Sequence, residues 1–220
     1  MRIPRLEDAP FFCVSCRTPF QNQFPLDADG RCALCRNGLR GYDAAYSYGA
    51  YEGVLRELIH VYKYGRVETL ARPLADLLRA ALPRSEQWEA VAAVPLHWRR
   101  KWQRGFNQSE LLARDVARGL GAPLVKTLRR VRATPAQAGL SRTARRRNMT
   151  AAFRLRRPGP VAGRRVLLID DVLTTGSTAA ACARALKQAG AARVVVLTVA
   201  RADRRIGSGQ WASDSVEGDL

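Results

Sequence analysis

The residues best equipped for chemistry lie in one short run, Val166 to Thr178, which reads V-L-L-I-D-D-V-L-T-T-G-S-T. Four apolar residues, Val166–Ile169, predict a buried strand, and Asp170 and Asp171 fall at its carboxyl end. Thr174, Thr175, Gly176, Ser177 and Thr178 then form a loop of small residues ahead of an Ala-rich stretch. Such a loop points consecutive backbone N–H groups and hydroxyls into one concavity, with the positive end of a helix behind it. That arrangement suits a phosphate monoester, and Gly176 lets the backbone come close to the anion. The carboxylates cannot bind the phosphate themselves. They suit hydroxyls beside it, such as a ribose diol, or Mg²⁺ shared with a pyrophosphate. Phosphate, diol and metal together describe a phosphorylated ribose. A Walker-B strand would need an upstream G-x-x-x-x-G-K-[ST], which the sequence lacks. A plain turn without a ligand would leave two adjacent carboxylates uncompensated.

A second set of chemical groups stands at the front. Cys13, Cys16, Cys32 and Cys35 form a C-x2-C-x15-C-x2-C array, a spacing that closes a tetrahedron of thiolates around Zn²⁺. Pro19, Pro25, Asp27, Asp29 and Gly30 between the pairs read as turns, as expected of a module held by metal. Four thiols leave no open position, so the expected site is structural. Two disulfides would fit a secreted protein, and a redox dithiol would use one pair. Cys182, within Ala179–Ala185, reads as a small buried residue on a helix.

The elements that must position these groups follow from periodicity. Ala44–Tyr51 reads as a strand or hairpin. Val54, Leu55, Leu58, Ile59, Val61 and Tyr62 recur at helical spacing up to Gly65, and a second helix spans about 68–82. Ala90–Val94 is a short buried strand ending at Pro95. A helix over 107–120 puts Leu111, Leu112, Val116 and Leu120 on one face, with Gly121 beyond its end. Pro123–Val131 is a further strand candidate. Val166–Ile169, Ser177–Ala189 and Val194–Val199 read as strand, helix, strand, which implies a parallel sheet. Residues 203–220, rich in Gly, Ser and Asp, read as a flexible tail.

The charge is not spread evenly. The 220 residues carry a net +18, yet residues 91–165 hold 19 basic and 2 acidic side chains, +17 of that total. Such a segment needs either solvent on a one-signed face or a polyanionic partner such as a polyphosphate or nucleic acid. The hydrophobic fraction of 47% excludes disorder for most of the chain. No run approaches the roughly 20 apolar residues of a membrane helix. Residues 1–12 lack the apolar stretch of a signal peptide. The expectation is a soluble, cytoplasmic protein with no membrane insertion.

The Val166–Thr178 run resembles the phosphoribosyl-pyrophosphate (PRPP) motif of type I phosphoribosyltransferases. That resemblance implies that Asp170 and Asp171 are the catalytic carboxylates and contact the ribose hydroxyls, and that Thr174, Thr175, Gly176, Ser177 and Thr178 hold the 5′-phosphate. Further motifs are similar to the ComF family of ComFC and GntX-like proteins. They are Pro95-Leu96-His97; R-x3-R-G-F-N-Q from Arg100 to Gln108; T-x2-Q-x2-L-x-R-x2-R-x2-N-x4-F from Thr134 to Phe153; Tyr62-Lys63-Tyr64-Gly65; and the cysteine array. Ala144 and Ala151 depart from that pattern, where relatives often carry Glu and Gly.

The resemblance implies an α/β fold, a doubly wound parallel sheet like that of type I phosphoribosyltransferases with a small zinc ribbon at the front. The implied divisions are a ribbon over 1–42, a phosphoribosyltransferase-like domain over 43–202 and the tail. It makes Pro95–Arg104 the pyrophosphate loop, with Arg100 and Arg104 as clamps, and Ala133–Asn148 a flap over the donor. His97 reads as structural. Trp98 and Trp102 either stack on single-stranded bases or pack the loop onto the body. Natural competence, the uptake of DNA, is the implied setting. The implied partners are PRPP with Mg²⁺, single-stranded DNA, and a competence helicase or uptake-machinery protein.

Overall fold

The computed structural model describes residues 10–14, 19–20, 23, 26–36, 41–96, 105–130, 153–155, 159–174 and 176–202. Four strands form the central sheet: β3 (Ala44–Ala50), β4 (Ala90–Ala93), β7 (Arg165–Leu173) and β8 (Arg193–Arg201). They lie in the order β3-β8-β7-β4, and every pairing is parallel. Parallel strands need crossovers, and crossovers cover the faces with helices. That is why Val166–Ile169 and Val194–Leu197 are continuous apolar runs, buried on both sides.

Alternate residues serve opposite faces. Val166, Leu168, Val194 and Val196 pack with Ala179, Cys182 and Leu186 of α5 (Ser177–Gln188). Leu167, Ile169, Val195 and Leu197 pack against three helices: α2 (Gly53–Tyr64), α3 (Ala71–Ala80) and α4 (Gln108–Leu120). Each contributes a stripe at helical spacing, such as Leu55, Ile59 and Tyr62 of α2 or Leu74, Ala75 and Leu78 of α3. Between the terminal arginines of β8, Thr198 is the one polar residue. Its hydroxyl sits 2.7 Å from that of Ser47 on β3, so two buried hydroxyls satisfy each other.

Several elements depart from their expected limits. β7 does not stop at Ile169; its pairing with β8 continues to Leu173, so both aspartates belong to the strand. The second helix opens with a 3₁₀ turn over Glu68–Leu70 before α3. Pro123–Val131 is not one strand. Leu124 makes a single parallel bridge to Val91 on the short strand β4. Leu128–Arg130 then forms β5, which pairs antiparallel with β6 (Phe153–Leu155). Leu120, expected on the buried face of α4, is 37% exposed as the last helical residue, and Ala113 and Ala117 complete the stripe instead. Val61 likewise faces outward. Residues 131–152 and 203–220 lie outside the described residues.

The front module is a short hairpin, β1 (Phe11–Phe12) with β2 (Pro19–Phe20), a bridge between Leu26 and Cys32, and the one-turn helix α1 (Ala33–Arg36). Cys13, Phe20 and Cys32 join the same apolar cluster as α5. The Arg201 guanidinium of β8 lies 5.9 Å from the Phe20 ring. The chain then passes tightly over α5 at Gly41. A Cβ there would run into the Ala180 carbonyl and come within 2.9 Å of the Arg184 amide nitrogen. Both are backbone atoms of a helix and cannot give way.

Gly41→Ala should therefore destabilise the protein by about 1–3 kcal/mol or more, an overpacking cost, read as a lower urea midpoint. Gly119→Ala should not lower it, because the nearest atoms to the added methyl there belong to the flexible Arg79 side chain.

Candidate functional site at the carboxyl edge of the sheet

Asp170 and Asp171 stand near the end of β7, at the edge where βα loops gather in an open α/β sheet. Consecutive carboxylates repel, and each has its own compensation. The Ser109 hydroxyl donates to Asp170 Oδ1 at 2.8 Å, and the Asp171 backbone N–H donates to the same oxygen at 3.0 Å. The Lys63 ammonium lies 2.9 Å from Asp171 Oδ1, with both side chains only 14% exposed. Burial and the neighbouring Asp171 charge push the Asp170 carboxyl up to about 7, against the opposing pull of Ser109, the Asp171 amide and Lys63. Asp170 in turn reaches across to α5. Burial first, then the Asp170 charge, raises the Cys182 thiol well above its ordinary range. That thiol is buried on α5, as expected from the sequence, and stays protonated.

Two partners from distant segments are thus brought to one pair, and both rest on a shared anchor. Tyr62, fully buried on α2, donates its hydroxyl to the Gln108 carbonyl at 2.9 Å and stacks obliquely on Phe106, ring centres 5.7 Å apart. Burial, then the Asp171 charge, raises its phenol far above the usual value, so it remains a donor. This contact holds the start of α4, and hence Ser109, against the end of α2, and hence Lys63. Neither residue carries a signal of its own in the sequence. Lys63 stood in the Tyr-Lys-Tyr-Gly run only as part of a resemblance, and Ser109 follows directly on the R-G-F-N-Q run.

The expected pyrophosphate loop is tied at both ends. Asn107 Nδ2 donates to the Val94 carbonyl, just past β4, at 3.4 Å. His97, Trp98, Arg100, Trp102 and Arg104 lie between these ends, outside the described residues. Arg130 and Phe153 face each other in the β5–β6 pair, and the Arg130 guanidinium sits 5.4 Å from the Phe153 ring centre.

The small-residue loop behaves as its composition requires. Gly176 is the N-cap of α5 with φ 73°, a left-handed conformation that favours glycine. The first-turn N–H groups of α5 open toward the loop, as at any helix start. Thr174 and Ser177 are exposed, and Thr178 is half-buried. Thr175 lies outside the described residues.

At the front, the Sγ atoms of Cys13, Cys32 and Cys35 all lie within 4.8 Å of one another. Cys35 Sγ is 3.5 Å from Cys13 Sγ and 3.4 Å from Cys32 Sγ. These spacings approach the edge of about 3.8 Å expected for a tetrahedron with metal–sulfur bonds of about 2.3 Å. The Cys32 N–H also donates to Cys13 Sγ, at 3.3 Å. Three thiols therefore fit three corners of a metal site. Cys16 lies outside the described residues.

Comparison with known proteins adds the following. The family model "Phosphoribosyl transferase domain" matches residues 107–219. The DNA utilization protein YhgH of Salmonella typhi is 38% identical over 180 residues, covering 77% of each chain. Competence protein F of Haemophilus influenzae is 36% identical over 179 residues, covering 78% of each chain. Among solved structures, the glutamine PRPP amidotransferase from B. subtilis aligns with a TM-score of 0.43 and 21% identity. That alignment covers 59% of this chain and about a quarter (26%) of the other. No helix among the described residues is long and apolar enough to cross a membrane.

The raised Asp170 carboxyl has a consequence for stability. The folded protein holds that proton more tightly than the unfolded chain, whose carboxyl titrates near 3.8. The associated stability is complete below about pH 4 and lost as pH rises to about 7. Asp170→Asn keeps an acceptor for Ser109 and removes the charge. Its melting temperature should exceed the wild type's by about 2–4 °C or more at pH 8, with the gap shrinking as pH falls through 7 toward 5.

Proposed function

The chain belongs to the phosphoribosyl transferase domain family and, within it, to the ComF family; from that premise we propose that it is a cytoplasmic, competence-related protein that binds PRPP at the carboxyl edge of its sheet. The observation that carries this reading is the junction of two carboxylates at the end of β7 with a left-handed Gly176 and a helix start a few residues later. In this reading the Thr174–Thr178 loop takes the 5′-phosphate, Thr175 included. Asp170 and Asp171 accept hydrogen bonds from the ribose hydroxyls. Arg100 and Arg104 clamp the pyrophosphate, whose loop is closed at its base by Asn107. Mg²⁺ arriving with the pyrophosphate would supply charge neutralisation to a leaving group.

Where transfer occurs, the bond from ribose C1 to the pyrophosphate oxygen breaks with its electron pair leaving on pyrophosphate. A bond from C1 to a nucleophile forms, and the nucleophile gives up its proton to water. Asp170 and Asp171 would orient the ribose and offset charge building on it. The front module completes the proposal. Cys13, Cys16, Cys32 and Cys35 hold one structural Zn²⁺, and residues 1–42 form a docking unit for a competence helicase or uptake-machinery protein. Residues 43–202 form the phosphoribosyltransferase-like unit.

Titration calorimetry with Mg·PRPP should show one site per chain. Asp171→Asn should weaken it at least tenfold, as loss of a charge-assisted hydrogen bond implies. Absence of heat with the wild type would overturn the PRPP reading. A pyrophosphate-release assay across bases, amines and ammonia then separates turnover from binding.

A second reading, single-stranded DNA binding, is favoured by the +17 carried by residues 91–165. It expects affinity for a single strand that falls steeply with salt, with a shallower slope once Arg99 and Arg100 are neutralised. Salt-independent binding in a filter or anisotropy assay would count against it.

A further inference from the structure

Two carboxylates on adjacent residues at a strand end are, by donor type, a divalent-cation pair. Here a third group sits among them. Lys63 comes from the last turn of α2, and its ammonium is 2.9 Å from Asp171 Oδ1, in surroundings that leave 14% of either side chain exposed. Its placement is fixed from both sides. Tyr62, its neighbour, is locked onto Gln108 and Phe106. Just beyond, Gly65 closes α2 with its N–H on the Val61 carbonyl, and Arg66 takes φ 55°, a conformation uncommon outside glycine. A lysine held there is a resident cation of the site, and not a solvated surface charge.

The contacts among the described residues use one oxygen of each carboxylate. Ser109 and the Asp171 amide are taken up by Asp170 Oδ1, and Lys63 by Asp171 Oδ1. The second oxygen of each takes none of these contacts. Two acceptor oxygens match the two O–H donors of a vicinal diol. A divalent cation entering the same place would meet the Lys63 ammonium at close range and a pair already largely neutralised.

We propose that Lys63 is a specificity-determining residue, the built-in counter-cation that makes the Asp170–Asp171 pair a receptor for a neutral diol and denies it to a free divalent cation. The inference rests on the reading of this pair as the ribose site. It implies that divalent metal enters only when the ligand brings the pyrophosphate with it. Lys63 acts through Asp171 and is a positioning residue for that carboxylate.

Mn²⁺ alone, without PRPP, tests this on the full-length chain. Its electron paramagnetic resonance signal reports free ion directly. Wild type should leave the signal unchanged at millimolar Mn²⁺. Lys63→Met, which keeps the apolar stem, should gain a site at least tenfold tighter, and Lys63→Gln should do the same. Lys63→Arg should behave as wild type, and adding Asp171→Asn to Lys63→Met should abolish the gain. An unfolded variant cannot produce a gain that depends on Asp171. The proposal is overturned if wild type takes up Mn²⁺ without PRPP, or if neither Lys63→Met nor Lys63→Gln binds it more tightly than wild type. A wild type giving no heat with Mg·PRPP would end the ribose reading and leave the Mn²⁺ result to be judged alone.

Discussion

Repulsion between Asp170 and Asp171 is the constraint around which the upper half of the domain is arranged. Apolar burial alone would place α2 and α4 somewhere over the β7–β8 face. The two charges narrow that choice, because the end of α2 must deliver an ammonium and the start of α4 a hydroxyl to adjacent residues of one strand. Tyr62 joins these demands. A single side chain fills the core, bonds the backbone of α4 and precedes the lysine. Even so, Asp170 keeps an elevated affinity for its proton. The site therefore sits under electrostatic stress that the rest of the fold must outweigh, a common condition of sites built for a ligand.

Much of this architecture is contiguous in sequence and so could be read there. The β7–loop–α5 unit is a run of apolar residues, two acids and small residues, each informative about its neighbour. Three members of the cysteine array, Cys13, Cys32 and Cys35, are legible for a related reason, since their spacing is that of a thiol cluster. Lys63 and Ser109 were not legible. Ser109 is 61 positions from Asp170 in the chain, and nothing in its local pattern distinguishes it from any polar residue opening a helix. Its role exists only once β4, α4 and β7 are packed. The limits of elements failed for a related reason. Periodicity places Leu120 on the apolar face of α4, but whether a helix end is covered depends on what lies beyond it. Likewise Asp170 and Asp171 look like strand terminators until pairing with β8 carries the strand past them.

The concentration of positive charge takes on a sharper meaning in the folded chain. Residues 91–165 contain two acids, Glu110 and Asp115. Each is held by a cation of the same segment, Glu110 by Lys126 and Asp115 by Arg118. The remaining cations have no acid of their own segment to meet. They depend on solvent, on the few acids elsewhere, or on an anion from outside, and the last is what a site for a polyphosphate supplies.

The β5–β6 pair has a consequence that reaches beyond this one chain. It is a closed base, pinned by Arg130 over Phe153 and leaning on α5, from which the 22 residues 131–152 depart and to which they return. Because the two ends are fixed to each other, the entropy of closing whatever runs between them grows only with the logarithm of its length, by about 0.6 kcal/mol per doubling. The segment is thus a cassette. Its length can change at small entropic cost to the sheet that carries it.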